Sequence, residues 1–168
     1  QKMGTVRELV ETGTNGIKGI ISAVIILALA YCLNAISKEL GTANFVVSVT
    51  KSWMTPTLLL VFTFLICAFI SFFTGTSWGT YAIITPIVVP LAFELTGGAI
   101  TSLVYATIGA VMGGGCFGDH CSPLSDTTIL SSLAAGSDHI DHVKTQLPYA
   151  FAAAGVSAVL YVVLGFVL

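Results

Sequence analysis

The sequence predicts an all-α integral membrane protein, and three observations support this fold class. Apolar residues make up 55% of the 168 residues and charged residues only 8%, whereas soluble domains carry about 25% charged residues. The mean hydropathy is +0.96. Long stretches without Asp, Glu, Lys or Arg match a spanning helix of about 20 apolar residues and exceed the strands of a membrane barrel, about ten residues each. These uncharged stretches are residues 19–37, 52–93, 95–118 and 145–168.

The composition also excludes several classes of function. The charged side chains are too few to cover the surface of a soluble globule of this size. A chain with this high apolar content is also not disordered. A soluble enzyme is therefore excluded. The six Lys and Arg residues and the net charge of −2 provide no basic patch for a nucleic acid, so the expected surroundings are the lipid bilayer.

The first part of the chain predicts one span followed by a connection. A polar lead-in over residues 1–16 precedes a span over 17–37. Lys2 and Arg7 come before this span and Lys18 lies at its start, which favours a cytoplasmic N-terminal end. Residues 38–55 form either a short interfacial helix, with Trp53 at headgroup depth, or an ordinary connecting loop.

Residues 57–95 predict a helical hairpin that is broken at 74–80. Two glycines and four hydroxyl side chains interrupt the apolar sequence at that point. The segment crosses the membrane either as a re-entrant hairpin or as two full passes.

A second broken helix is predicted over residues 99–135, with its break at 113–125. Three consecutive glycines end the apolar run, and polar residues follow until the apolar sequence resumes. A polar loop at 136–147 then leads to a last span over 148–168. The chain begins at Gln1 and ends inside this apolar run, so we expect a single partial membrane domain, a piece of a longer protein.

The two breaks predict a binding site. Irregular backbone at membrane depth is tolerated only where it is buried in protein or lines a wet cavity. Discontinuous helices of this kind build the binding sites of secondary transporters.

Two carboxylates lie in or beside the second break, and both are candidate ion and proton sites. Asp119 and Asp126 each cost about 2.5–3.5 kcal/mol to place in a membrane helix. Either a proton or a cation neutralises such a charge, so the two compete for one site, which is the minimal mechanism of a cation/proton antiporter. The alternative is that these residues cap helices, with Ser125 or Asp126 as the N-cap of the next helix.

Hydroxyl groups at both breaks supply neutral oxygen ligands. Those of the first break suit a hard monovalent cation such as sodium, although a glycine-hinged hairpin without a ligand is the alternative. The candidate ion ligands are Ser122, Ser125 and Thr127 at the second break, and Thr74, Thr76 and Ser77 at the first.

Cysteine and histidine residues near the second break invite a comparison with zinc sites. Cys116, His120 and Cys121 offer zinc-type ligands, but two adjacent ligands are awkward for one tetrahedral ion. We therefore expect no structural zinc, no cysteine-based catalysis and no cofactor. His120 is instead a candidate proton relay beside Asp119.

Three segments carry a resemblance to a known family. GTSWGT at residues 75–80 and GDHCSPLSDTT at 118–128 resemble signatures of the NhaC family of sodium/proton antiporters. The segment DHIDHV at 138–143, with QLPYA at 146–150, is also similar to that family. The match runs in order from about residue 55 to 150.

The resemblance implies a fold and a location. Members of the wider ion-transporter superfamily have two inverted repeats, each with a re-entrant hairpin and a broken transmembrane helix. Residues 57–95 would be the hairpin and 99–135 the broken helix of the C-terminal repeat. The N-terminal repeat of the same protein would then be the partner that completes the site, in a multi-pass protein of the bacterial cytoplasmic (inner) membrane. Many such transporters are dimers, so a homodimer is also expected.

The resemblance implies exchange of Na⁺ for H⁺, and two alternatives stay open. The family includes exchangers that couple sodium and protons to organic anions such as malate and lactate. No Lys or Arg lies near either break in the sequence, which favours simple cations. The remaining alternative is a membrane scaffold that transports nothing.

Overall fold

The computed structural model describes residues 5–50 and 52–168, and the described residues form seven α-helices and no strand. The all-α prediction is confirmed for this part of the chain. Among the described residues, three helices are long and apolar enough to span a membrane: Pro56–Thr74, Ser77–Leu95 and His139–Val167. The helices are α1 (Val6–Glu39), α2 (Thr42–Thr50), α3 (Pro56–Thr74), α4 (Ser77–Leu95), α5 (Ser102–Cys121), α6 (Asp126–Ala135) and α7 (His139–Val167).

Helix α1 extends beyond the predicted span over residues 17–37. Residues 1–4 of the predicted lead-in lie outside the described residues, and from Val6 onward the lead-in is helical and continuous with the predicted span. Thr5 and Glu8 start the helix, because the Thr5 backbone N–H donates to the Glu8 carboxylate (2.7 Å) and the Glu8 N–H donates to the Thr5 hydroxyl (3.4 Å). This reciprocal pair is a capping box. Helix α2 occupies part of the predicted connection, so its helical alternative is the one observed.

The first break is shorter than the predicted 74–80. Helix α3 ends where Gly75 takes a left-handed conformation (φ 68°), and Thr76 is the N-cap of α4. The rest of the predicted break is the first turn of α4. Each helix has 19 residues and is about 28 Å long, close to the roughly 30 Å of a membrane's hydrocarbon core. This length fits two full passes.

The second break is also shorter than predicted, and its start at residue 113 is wrong. Helix α5 continues through the three glycines to Cys121, and only residues 122–125 are non-helical. Glycines of α5 allow close packing against α3. A Cβ atom at Gly114 would collide with the Phe64 carbonyl oxygen, and a Cβ atom at Gly118 would collide with the Ala68 carbonyl oxygen. Because glycine has no side chain, α5 lies directly against the backbone of α3.

The predicted polar loop at 136–147 is largely helical. Gly136 ends α6 in a left-handed conformation (φ 63°), and Asp138 is the N-cap of α7, where it accepts from the Ile140 N–H (2.9 Å) and the Asp141 N–H (3.1 Å). The predicted last span over 148–168 is therefore the later part of a longer helix that contains Pro148.

Helix α3 lies at the centre of the packing and contacts α4, α5 and α7. The core is apolar, whereas many large apolar side chains on the outer faces are exposed. An apolar outer surface suits a lipid environment. The central core residues are Leu59, Leu60, Phe64, Leu91, Ala92, Leu103, Val104 and Ala110.

Candidate functional site

The two helix breaks meet at the carboxylate of Asp119. This residue lies in the last turn of α5 and is half-buried. Its Oδ2 accepts a hydrogen bond from the Ser77 hydroxyl (2.8 Å), and its Oδ1 accepts one from the Ser125 hydroxyl (2.7 Å). Ser77 is the first residue of α4, and Ser125 is the N-cap of α6. The carboxylate therefore lies beside the N-terminal ends of two helices.

Ser125 is fully buried and has all its hydrogen-bonding positions filled. Its oxygen accepts the backbone N–H of Thr127 (3.2 Å) and lies 2.7 Å from the Thr127 hydroxyl. A serine hydroxyl has one proton, and here that proton points to Asp119. The Thr127 hydroxyl therefore donates to Ser125, which forms a chain of three groups from Asp119 to Thr127.

Further contacts hold the two breaks against each other. Ser122 donates to the Phe72 carbonyl of α3 (2.6 Å), and Ser71 donates to the Gly115 carbonyl of α5 (2.7 Å). A Cβ atom at Gly75 would lie 2.7 Å from the backbone of Leu124. Glycine is thus required at residue 75 both for its left-handed backbone and for this close approach.

Two of the predicted ligands at the first break serve their own helices. The Thr74 hydroxyl is exposed and donates to the Ile70 carbonyl (2.8 Å). The Thr76 hydroxyl accepts the Gly79 N–H (3.3 Å) as the N-cap of α4. Of the three residues predicted there, Ser77 is the one in contact with Asp119. A role for Thr74 and Thr76 as ion ligands stays a prediction.

Asp126 is exposed and is the first residue of α6, while the N-cap is Ser125. Within the described part of the chain, no hydrogen bond joins it to Asp119. Its charge is favourable at a helix N-terminus. Its role in ion binding also stays a prediction.

An open cavity of about 580 Å³ lies between α5 and α7 beside Asp119. His120 is exposed and borders the same cavity, and its role as a proton relay stays a prediction. The His120 carbonyl accepts from the Thr128 hydroxyl (3.1 Å) and the Gln146 amide (2.6 Å), which ties α5 to α6 and α7. The lining residues are Phe64, Gly113, Cys116, Phe117, Asp119, His120, Thr127, Ala150, Ala153, Ala154 and Ser157.

The cysteines of the second break have separate partners. The Cys116 thiol is exposed and lies 3.1 Å from the Tyr81 hydroxyl, while the buried Cys121 thiol donates to the Phe117 carbonyl (3.0 Å). In the parts of the chain that the structure covers, no three His, Cys, Asp or Glu side chains are grouped to hold a metal ion.

Several residues that shape the site have no obvious signal in the sequence. Ser71, Tyr81 and Gln146 reach across to other helices, and such partners depend on the tertiary packing. Gly114 and Gly118 do carry a signal, because small residues four positions apart lie on one helix face and permit close packing.

An all-helical chain with long apolar helices and two breaks around a carboxylate has the construction of a secondary transporter. Residues 2–166 match the model of the Na⁺/H⁺ antiporter family, and the chain belongs to this family.

The chain is also similar to individual proteins over most of its length. The chain is 41% identical over 162 residues to an uncharacterised protein of Haemophilus influenzae. It is 30% identical over 160 residues to the malate-2H⁺/Na⁺-lactate antiporter of Bacillus subtilis. It is 32% identical over 151 residues to the Na⁺/H⁺ antiporter NhaC of Alkalihalophilus pseudofirmus. These alignments cover 96%, 95% and 90% of this chain but only 30%, 33% and 32% of the relatives. The chain therefore spans about a third of their length. The resemblance to the NhaC family is confirmed, and no solved structure matches the chain.

Proposed function

We propose that this chain contributes one of two inverted repeats to a secondary antiporter that exchanges Na⁺ for H⁺ across the bacterial cytoplasmic membrane. The second repeat of the same multi-pass protein completes the ion site. Membership of the Na⁺/H⁺ antiporter family and similarity to an NhaC antiporter support this proposal.

The observation that carries the proposal is the arrangement of Ser77 and Ser125 around Asp119. Both hydroxyls donate to the carboxylate. When Na⁺ binds, the carboxylate oxygens of Asp119 become its ligands, and the Ser77 hydroxyl rotates so that its oxygen is a further ligand. Ser125 keeps its hydrogen bonds to Thr127 and holds the carboxylate in place. A proton on Asp119 removes the negative charge that attracts the ion. Na⁺ and H⁺ therefore exclude each other, and His120 passes the proton between Asp119 and the cavity.

The test is proton release from membrane vesicles that contain the complete gene product. With an acidic interior and a pH-sensitive dye, added NaCl causes proton release from the wild type. Asp119→Asn keeps the size of the side chain but loses its charge, so we expect no sodium-driven release. The matched control is Asp141→Asn, because Asp141 is exposed near the start of α7 and pairs with Lys144 at 3.6 Å. Exchange that survives Asp119→Asn in folded protein contradicts the proposal.

Asp126→Asn separates the two predicted carboxylates in the same assay. Loss of exchange in this variant would add Asp126 to the ion site, whereas unchanged exchange would leave Asp119 as the exchanging carboxylate of this chain.

Organic-anion exchange is the second candidate, favoured by the similarity to the malate-2H⁺/Na⁺-lactate antiporter of B. subtilis. In the same vesicles, proton movement that appears only after malate or lactate is added would assign this function. Folded protein that is silent under every condition would instead favour the scaffold alternative.

A further inference from the structure

The cavity beside Asp119 is much larger than a sodium ion requires. Its volume of about 580 Å³ falls in the range of small-molecule sites, about 300–1,000 Å³. An inorganic ion needs only a few oxygen atoms around it. The remaining volume and the chemistry of the walls therefore need a separate explanation.

The polar end of the cavity favours a positive charge. Among the residues that the structure describes, Asp119 is the carboxylate of the lining, and no Lys or Arg borders the cavity. The hydroxyls of Thr127 and Ser157 add neutral oxygen atoms. A ligand with its own carboxylate would meet Asp119 without a basic side chain of this chain to pair with.

The ring of Phe117 adds to this preference. It is half-buried and packs against Phe151 with ring centroids 5.6 Å apart, which holds it beside the cavity. Phe64, the other aromatic residue of the lining, is 2% exposed and belongs to the core. The faces of aromatic rings attract organic cations.

The wall formed by α7 is apolar and made of small side chains. Ala150, Ala153 and Ala154 border the cavity and leave its volume open. A bare inorganic ion gains nothing from an apolar wall, whereas a hydrocarbon chain is stabilised when it leaves water.

We propose that this cavity binds an organic ammonium ion. Its –NH₃⁺ group donates to Asp119 and to the Thr127 hydroxyl, and its hydrocarbon chain lies against the alanines and Phe117. This inference rests on the proposed function, because it uses Asp119 as the cation site. The ammonium ion therefore competes with Na⁺ and H⁺ for the same carboxylate.

Cys116 provides a readout that is independent of transport. Its thiol is exposed and borders the cavity, whereas Cys67 and Cys121 are buried. A bound chain shields this thiol from N-ethylmaleimide, and mass spectrometry of the Cys116 peptide measures the alkylation rate in the complete gene product. Pentylammonium chloride slows alkylation roughly tenfold at about ten times its Kd, because about a tenth of the protein is then free. Potassium hexanoate, with a carboxylate in place of the ammonium group, leaves the rate unchanged.

Two variants and one control test the geometry. Asp119→Asn abolishes protection by pentylammonium. Ala153→Leu fills the cavity and weakens protection, while the control Ala152→Leu, at an exposed position of α7 outside the lining, does not. The two alanine variants keep the test decisive if Asp119→Asn fails to fold.

The outcomes separate this inference from the proposed function. Protection by NaCl without protection by pentylammonium overturns the organic ligand and leaves Na⁺/H⁺ exchange standing. Equal protection by hexanoate, or protection that persists in both Asp119→Asn and Ala153→Leu, overturns it as well. Norleucine combines the pentylammonium group with a carboxylate, so we expect weaker protection than with pentylammonium. Equal protection by norleucine would overturn the preference for a ligand without a carboxylate.

Discussion

Asp119 receives its two hydrogen bonds from serines that also begin helices. Ser77 and Ser125 are both buried, so their hydroxyls have no alternative partner in water. The two serines nevertheless differ. Ser125 also caps α6 and receives the Thr127 N–H, whereas the hydrogen bond of the Ser77 side chain goes to Asp119. A substitution at Ser77 therefore tests the ion site with less effect on helix stability than a substitution at Ser125.

Ser77→Ala should weaken sodium binding without unfolding the protein. The variant lacks the oxygen that Ser77 presents to the ion in the proposed site, so we expect the Na⁺ concentration for half-maximal exchange to rise about tenfold, which corresponds to about 1.4 kcal/mol. The vesicle dye assay gives this concentration directly. Ser48→Ala is the control, since Ser48 is exposed and donates within α2 to Phe45. An unchanged Na⁺ dependence in Ser77→Ala would exclude this hydroxyl from the site.

Part of the site could be predicted from the sequence at the level of single residues. Asp119 was identified because an uncharged stretch makes a carboxylate conspicuous, and Ser125 because serine is a common N-cap. That Ser77 contacts Asp119 while Thr74 does not depends on where α3 ends. A shift of a residue or two in a helix end redirects each side chain, and the sequence locates such ends poorly.

At the scale of elements, glycine has opposite roles at the two breaks. Gly75 ends α3 because only its backbone adopts the left-handed conformation without strain. The glycines of α5 remain helical because contact with α3 offsets their low helix propensity. Composition alone does not distinguish the two cases, which is why the predicted break at 113–125 was too long. The existence and order of the long helices were predictable from the apolar runs.

Gly118→Ala should destabilise the protein by forcing α3 and α5 apart. The new methyl group meets the Ala68 carbonyl oxygen, the Phe72 nitrogen and the Ser71 side chain, and overpacking of this kind costs about 1–3 kcal/mol. We expect a lower Tm for the complete gene product in detergent.

Gly155→Ala is the matched control for this substitution, because a Cβ atom at Gly155 meets nothing within 4 Å. Alanine is the better helix former by up to about 1 kcal/mol, so this variant should be as stable as the wild type or more stable. A Tm for Gly118→Ala at or above that of Gly155→Ala would show that the α3–α5 contact tolerates a wider spacing.

At the scale of the whole molecule, the apolar residues divide between a core around α3 and a large outward-facing surface. Tyr149 and Phe166 of α7 are 80% and 81% exposed. Lipid, the second repeat and a second copy of the protein are the expected neighbours of such surfaces. The sequence predicts this division only in outline, because α7 is apolar on nearly all sides along its later part and has no polar face to fix its orientation.

Na⁺ should stabilise the complete gene product more at high pH than at low pH. A ligand that binds the folded state at about ten times its Kd adds roughly 1.4 kcal/mol to the free energy of unfolding. Protons compete for Asp119, so lowering the pH raises the apparent Kd for Na⁺ and reduces this gain. Thermal unfolding in detergent with NaCl or with KCl at each pH measures the difference. A sodium-dependent gain that is independent of pH, or is retained in Asp119→Asn, would contradict competition at this carboxylate.

The chain of hydroxyls from Asp119 through Ser125 to Thr127 has a direction, and that direction follows the charge of the carboxylate. While Asp119 is ionised, each hydroxyl points inward, and Thr127 turns its lone pairs to the cavity. Once Asp119 carries a proton on Oδ1, it donates to Ser125, which donates to Thr127, and the Thr127 hydroxyl proton is released toward the cavity. In the proposed exchange, the polarity of the wall thus reverses each time Asp119 gains or loses a proton. A cation that approaches the protonated site would meet the positive end of an O–H dipole, so a group beyond the carboxylate itself would help the two ions to exclude each other.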